Sequence, residues 1–261
     1  FVHGSAQNAH TWDTVILAMG VSAIAIDMPG HGYSSWRSDG NYEPAVLARD
    51  VATAIETWAP SAKLIVGMSL GGLTTVALAG ARPDLAKRIV VVDITPGVNS
   101  QKSKAITDFV NGPQTFASFE ELLARTIEHN PTRTQSSLRR GILHNAKQLE
   151  DGSWQWRYDR STHAPVEDAA KKIERLSALW GVIENLKCQM LLVRGGVSPV
   201  VDDADVRDGV LRLQILADGD HVLGLATPAA MVVYRDLAPD LRRLGDRRQQ
   251  AFGGALDLRL L

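Results

Sequence analysis

The sequence predicts an α/β fold, a mostly parallel sheet with helices packed on both faces. The first supporting observation is a series of short apolar runs rich in Val and Ile: Val21–Asp27, Lys63–Met68, Arg88–Ile94, Cys188–Arg194 and Leu211–Ala217. The second is their near-continuous apolarity, which marks strands buried on both faces rather than alternating between core and water. The third is the pair of longer segments between them, Pro44–Trp58 and Leu70–Ala81, whose small and apolar residues suit helices lying on a sheet. Strand and helix signals alternating in this way predict parallel pairing through helical crossovers.

Between Pro96 and Trp180 the pattern changes. Strand-like runs give way to amphipathic segments, Phe119–Glu128 and Leu138–Leu149, and to the aromatic cluster Trp154, Trp156 and Tyr158. We read residues 97–180 as a helical subdomain inserted into a core made of residues 1–96 and 181–261. The alternation of Trp154 and Trp156 also fits a short strand or loop edge. After Leu244 the periodicity is weak, and a loosely held tail is expected.

With 261 residues, 45% of them hydrophobic and 22% charged, the chain can bury a sizeable core. Its 28 basic and 29 acidic side chains leave a formal charge of −1, which gives no electrostatic case for binding nucleic acid or an anionic membrane. No apolar stretch approaches the ~20 residues of a membrane-spanning helix. The single cysteine, Cys188, lies in the apolar run Cys-Gln-Met-Leu-Leu-Val and is expected to be buried and inert. The start, Phe1-Val2-His3-Gly4, lacks the basic region and cleavage site of a signal peptide. A cytoplasmic location is the resulting expectation.

Chemistry enters at Gly67-Met68-Ser69-Leu70-Gly71-Gly72, which follows the run Leu64-Ile65-Val66 and opens a helical segment. A nucleophilic hydroxyl needs a tight turn that lifts it above the sheet, and glycines beside it admit close backbone approach. The helix that begins there points N–H groups at developing negative charge. Ser69 is therefore the predicted nucleophile. Asp218-Gly219-Asp220-His221 follows the last apolar run, and a histidine there can reach back over the carboxyl edge of the sheet. His221 is the predicted base. His3 is expected to brace its loop and His31 to shape the turn Asp27–Ser34. Solvated or packing roles are expected for His10, His129, His144 and His163.

Together these residues resemble the α/β-hydrolase superfamily, in particular its capped esterases and lactonases, with some likeness to carbon–carbon bond hydrolases of aromatic degradation. The resemblance rests on His3-Gly4, Asp27–Gly32, Gly67–Gly72, Trp154–Tyr158 and Gly219–His221 and covers nearly the whole chain. It implies that the N–H groups of Leu70 and Ser5 form an oxyanion hole. It also exposes a departure. Most members carry the triad acid in a stretch like Gly-x-x-Asp-x-Val-Val, whereas this chain reads Gly195-Gly196-Val197-Ser198-Pro199-Val200-Val201. A neutral hydroxyl cannot stabilise an imidazolium as a carboxylate does. Some members place the acid at the end of the strand that follows the nucleophile helix, and Asp93 of Val91-Val92-Asp93-Ile94 stands there. Asp93 is assigned as the acid ahead of Asp202, Asp203 and Asp205.

The expected activity is hydrolysis of a mid-sized, partly apolar ester or lactone through an acyl-enzyme, without metal or organic cofactor. Carbon–carbon cleavage of a ring-cleavage diketone can use the same triad. A non-catalytic relative that binds a small molecule is the reading from another class, encouraged by Ser198. Family members have two further strands before the His-Gly segment. The sheet is thus expected either to lack its first strands, leaving an edge open to a homodimer, or to belong to a chain that starts after a lost segment.

Overall fold

The computed structural model describes residues 1–98, 101–160, 169–195, 198–202, 204–206 and 233–234, with backbone alone at 169–170 and 233–234. Asn8 opens a 3-10 turn, Ala9–Trp12, by accepting the His10 N–H on its side chain. Helix α1 (Asp13–Met19) follows and stops at Gly20. Helix α2 (Pro44–Trp58) starts with proline, whose missing N–H costs nothing in a first turn, and buries Leu47, Ala48, Val51 and Ala52 on one stripe. Strand β1 (Ile65–Met68) runs through Ser69 into helix α3 (Leu70–Ala81), and strand β2 (Arg88–Val92) comes next. The bounds of α2 and α3 match the expected segments. Helix α3 is buried along most of its length, and its Thr74 and Thr75 hydroxyls donate to the carbonyls of Leu70 and Gly71, so their burial leaves no unmet donor.

The chain then continues through α4 (Lys104–Val110), β3 (Thr115–Phe116), α5 (Phe119–His129), α6 (Gln135–Asn145), β4 (Ala146–Gln148), β5 (Trp154–Trp156), α7 (Ala169–Ser177) and α8 (Leu179–Glu184). It returns with β6 (Gln189–Val193) and β7 (Val233–Tyr234). The main sheet has the order β1-β2-β6-β7, every pair parallel. Beyond β1, Val2 bridges Gly67 on one side and Ile26 on the other. The expected strand Val21–Asp27 is reduced to that bridge. Val21 and Ile24 are more than a third exposed, and Phe1 and Val2 meet the run at Ile24 and Ile26. The expected strand Leu211–Ala217 lies outside the described residues.

Between β2 and β6 the expected absence of strands does not hold. Strands β3, β5 and β4 form a three-stranded antiparallel sheet in that order, pairing Phe116 and Gln148 with Trp154 and Ala146 with Trp156. Runs of two or three residues are too short for a periodicity signal, and cross-strand aromatic packing stabilises them instead. The amphipathic segment expected to continue to Leu149 stops at Asn145, where the backbone turns extended into β4.

Two hydrophobic clusters result. One joins α2, α3, α8 and the main strands, with Cys188 buried in it as a free thiol whose pKa burial pushes up. The other gathers Phe116, Phe119, Leu122, Leu138, Trp156 and Tyr158. Trp180 and Ile183 of α8 belong to the first cluster. Among the described residues no helix is long and apolar enough to cross a membrane.

Candidate active site

Ser69 stands between β1 and α3 with φ 51° and ψ −122°, a left-handed backbone that a residue with a Cβ adopts only under constraint. Two glycines show what imposes it. A Cβ on Gly71 would lie 2.4 Å from the carbonyl oxygens of both Val2 and His3, so the first segment passes directly over the start of α3. A Cβ on Gly4 would lie 3.0 Å from the Ser69 Cβ. The His-Gly segment and the elbow are therefore in contact. The Ser69 N–H donates to the Val92 carbonyl at 3.1 Å, which fixes the serine beside the carboxyl end of β2.

The loop after Gly4 is held from several sides. Gly4 N–H donates to Gln7 Oε1 at 3.0 Å, and the carbonyl of Ala6, itself at φ 56°, accepts from Asn145 Nδ2 at 2.6 Å. Buried Asn8 donates its amide to the His144 carbonyl at 2.9 Å. Among the described residues, neither the Ser5 N–H nor the Leu70 N–H donates to a protein acceptor. Sequence pattern does not single out Gln7, Asn8 or Asn145, whose only sign is polar residues in turns and at a helix end.

His3 is fully buried. Its Nε2 accepts the Met28 N–H at 3.0 Å, and its Nδ1 therefore carries the proton donated to the Gly4 carbonyl at 2.7 Å. Burial, then the neighbouring His31, pushes its pKa down to about 4, so the ring is a neutral brace, as expected. His31 is buried edge-on to His3, 5.0 Å between ring centroids, and is also lowered by burial. Asp27 ties the next loop by accepting the N–H groups of Ala9 and Tyr33.

Asp93, at φ 54°, continues the β2–β6 ladder by donating its N–H to the Val193 carbonyl at 2.7 Å. Its Oδ1 accepts the Gly195 N–H at 3.0 Å. Ser198 is occupied otherwise: its Oγ accepts the N–H groups of Val200 and Val201, each at 3.1 Å. The Asp205 carboxylate accepts from Lys102 at 2.7 Å and from the Asp202 N–H, while Asp202 accepts the Asp205 N–H and meets Lys102 at 3.0 Å. Accepting the Asp205 N–H, and then pairing with Lys102, brings the Asp202 pKa down to about 2. His221 and Asp203 lie outside the described residues, as does His163. His129 Nδ1 donates locally to the Arg125 carbonyl at 3.0 Å.

A parallel sheet, a strained serine at a strand-to-helix turn and a His-Gly segment packed on that turn define a class, and the comparison with known families agrees. The chain belongs to the alpha/beta hydrolase family, which it matches over residues 1–234. It is 41% identical over 214 residues to the esterase Rv0045c of Mycobacterium tuberculosis, covering 80% of this chain and 69% of that one. A structure of that esterase from work on its transition-metal inhibition superposes with a TM-score of 0.70 at 39% identity, covering 89% of this chain and 76% of the other. The 2-(acetamidomethylene)succinate hydrolase of Mesorhizobium japonicum is 30% identical over 142 residues, covering 53% of this chain and 51% of its own. A structure of E-2-(acetamidomethylene)succinate hydrolase has a TM-score of 0.71 at 24% identity, covering 89% of this chain and 81% of the other, and shows the shared fold.

Proposed function

We propose that this chain is a serine esterase, acting on a mid-sized, partly apolar ester or lactone. The observation that carries the reading is the elbow itself: a serine forced to positive φ at the start of α3, packed against Gly4, with the Leu70 N–H unengaged among the described residues. Ser69 attacks the acyl carbonyl while His221 takes its proton. The N–H groups of Leu70 and Ser5 bind the oxyanion. Asp93, whose half-buried carboxylate stands at the end of β2 one residue beyond the carbonyl that receives the Ser69 N–H, holds the imidazolium. Protonation by His221 releases the alcohol and leaves an acyl-enzyme. His221 then activates water, and collapse of the second tetrahedral intermediate frees the acid and Ser69. Residues 97–180 form a cap over the site, where they set the size of the acyl or alcohol group.

The likeness to the esterase Rv0045c supports the substrate class, and sensitivity to transition metals is part of the same proposal. The test is turnover of a panel of p-nitrophenyl esters and lactones together with labelling by a fluorophosphonate. The wild-type chain is expected to label and turn over, and Ser69→Ala to do neither while keeping its circular dichroism spectrum. Undiminished turnover in Ser69→Ala removes Ser69 from the chemistry. A folded wild-type chain that resists labelling is a binding relative instead.

A further inference from the structure

Away from Ser69, three ligand-type side chains from opposite halves of the chain converge. His10 lies in the 3-10 turn, Asp13 opens α1, and His144 is the penultimate residue of α6. One donor atom from each lies within 4.8 Å of the other two. His10 Nδ1 is 3.1 Å from Asp13 Oδ2, and the His10 and His144 rings stack at 3.9 Å between centroids, 21° between planes.

We propose that His10, Asp13 and His144 form a binding site for a divalent transition-metal ion of the Zn²⁺ class. Two imidazole nitrogens and one carboxylate oxygen suit such an ion better than Mg²⁺ or Ca²⁺, which take sets dominated by oxygen. Tetrahedral coordination with bonds of about 2.0–2.2 Å places ligand atoms roughly 3.3–3.6 Å apart. Coordination requires the stack to open, because each ring's lone pair lies in its own plane and two nearly parallel rings cannot aim theirs at one ion; His10 and Asp13, 45% and 41% exposed, have room for that rotation. The backbone needs no such movement. Asn8 already binds the His144 carbonyl, and its own side-chain oxygen accepts the His10 N–H.

An ion there joins the 3-10 turn to the end of α6, next to the Asn145 amide that holds the Ala6 carbonyl. Binding is therefore linked to the loop that carries Ser5. The site is argued from these three side chains and does not rest on the esterase reading.

The test is isothermal titration calorimetry of the full chain, freed of metal with a chelator, against ZnCl₂, with MgCl₂ as the contrasting cation. One strong site is expected for Zn²⁺ and none for Mg²⁺. His10→Ala and His144→Gln should each weaken Zn²⁺ binding at least about tenfold, with Asp13→Asn losing less. Thermal unfolding of each variant without metal establishes that it is folded, and His10→Ala, at an exposed position, serves if His144→Gln does not fold. Zn²⁺ binding of unchanged affinity in folded His10→Ala, or no Zn²⁺ binding by the wild-type chain, overturns the site. Because the readout is heat of binding, the outcome does not depend on whether the chain has esterase activity.

Discussion

Three non-glycine residues among those described have positive φ, Ala6, Ser69 and Asp93, and all three belong to the candidate site. Strain of this kind costs on the order of 1–3 kcal/mol per residue and persists only where the surroundings enforce it. At Asp93 the consequence is testable. Asparagine keeps an oxygen for the Gly195 N–H but loses the charge, so Asp93→Asn should lower kcat by up to about four orders of magnitude, the value of an orienting carboxylate in a Ser-His-Asp enzyme. KM should change far less. Near-normal kcat in this variant would move the acid elsewhere, and Asp203 is then the first to test, since Asp202 and Asp205 are committed to Lys102 and to each other.

His3 makes a prediction about pH. Its folded pKa of about 4 lies below the ordinary value of 6.5. Between those limits the unfolded chain takes up a proton that the native chain excludes, so stability falls as pH drops from 6.5 toward 4 and levels off below. The loss from this residue is about 3 kcal/mol at most. Thermal unfolding of His3→Gln across that range should show a flatter pH dependence than the wild type. Equal slopes would deny His3 this part in acid stability.

At the scale of elements, the notable contact is between α6 and the loop after Gly4. Asn145 donates to the Ala6 carbonyl and Asn8 donates to the His144 carbonyl, so the end of one helix and one loop hold each other. Asn145 is a positioning residue on this view, acting through the peptide that follows Ser5. Asn145→Ala should lower kcat by about tenfold, equivalent to roughly 1.4 kcal/mol of transition-state stabilisation, with KM nearly constant and Asn145→Asp recovering less than full activity. A change in KM alone would point to substrate contact rather than loop placement.

For the whole molecule, two separate hydrophobic clusters are joined by polar contacts. The Tyr42 hydroxyl donates to Asp159 at 2.5 Å and accepts the Arg37 N–H at 2.9 Å, while the Asp159 N–H donates to the Gly30 carbonyl. Tyr42→Phe removes two of these bonds, each worth about 1 kcal/mol net. Limited proteolysis should then cut between residues 97 and 160 several-fold faster, while unfolding of the main cluster in urea shifts little. Equal cleavage rates would mean that this link does not hold the two parts together.

Local sequence is enough to place the elements with strong signals. The apolar strands around Ile65, Val91 and Leu192, helices α2 and α3 to their end residues, and the Gly67–Gly72 turn are all legible in it. Each is set by backbone preference, side-chain period or a glycine within a few residues. Short strands leave no such mark, because β3, β4 and β5 have two or three residues each and depend on the partners they pair with. Packing in three dimensions alone settles which distant residues meet: Gly4 against Ser69, Asn145 against Ala6, Asp93 against Gly195, and His10 against His144. Those contacts follow from how the sheet and the two clusters pack, and spacing along a chain carries no record of proximity across it.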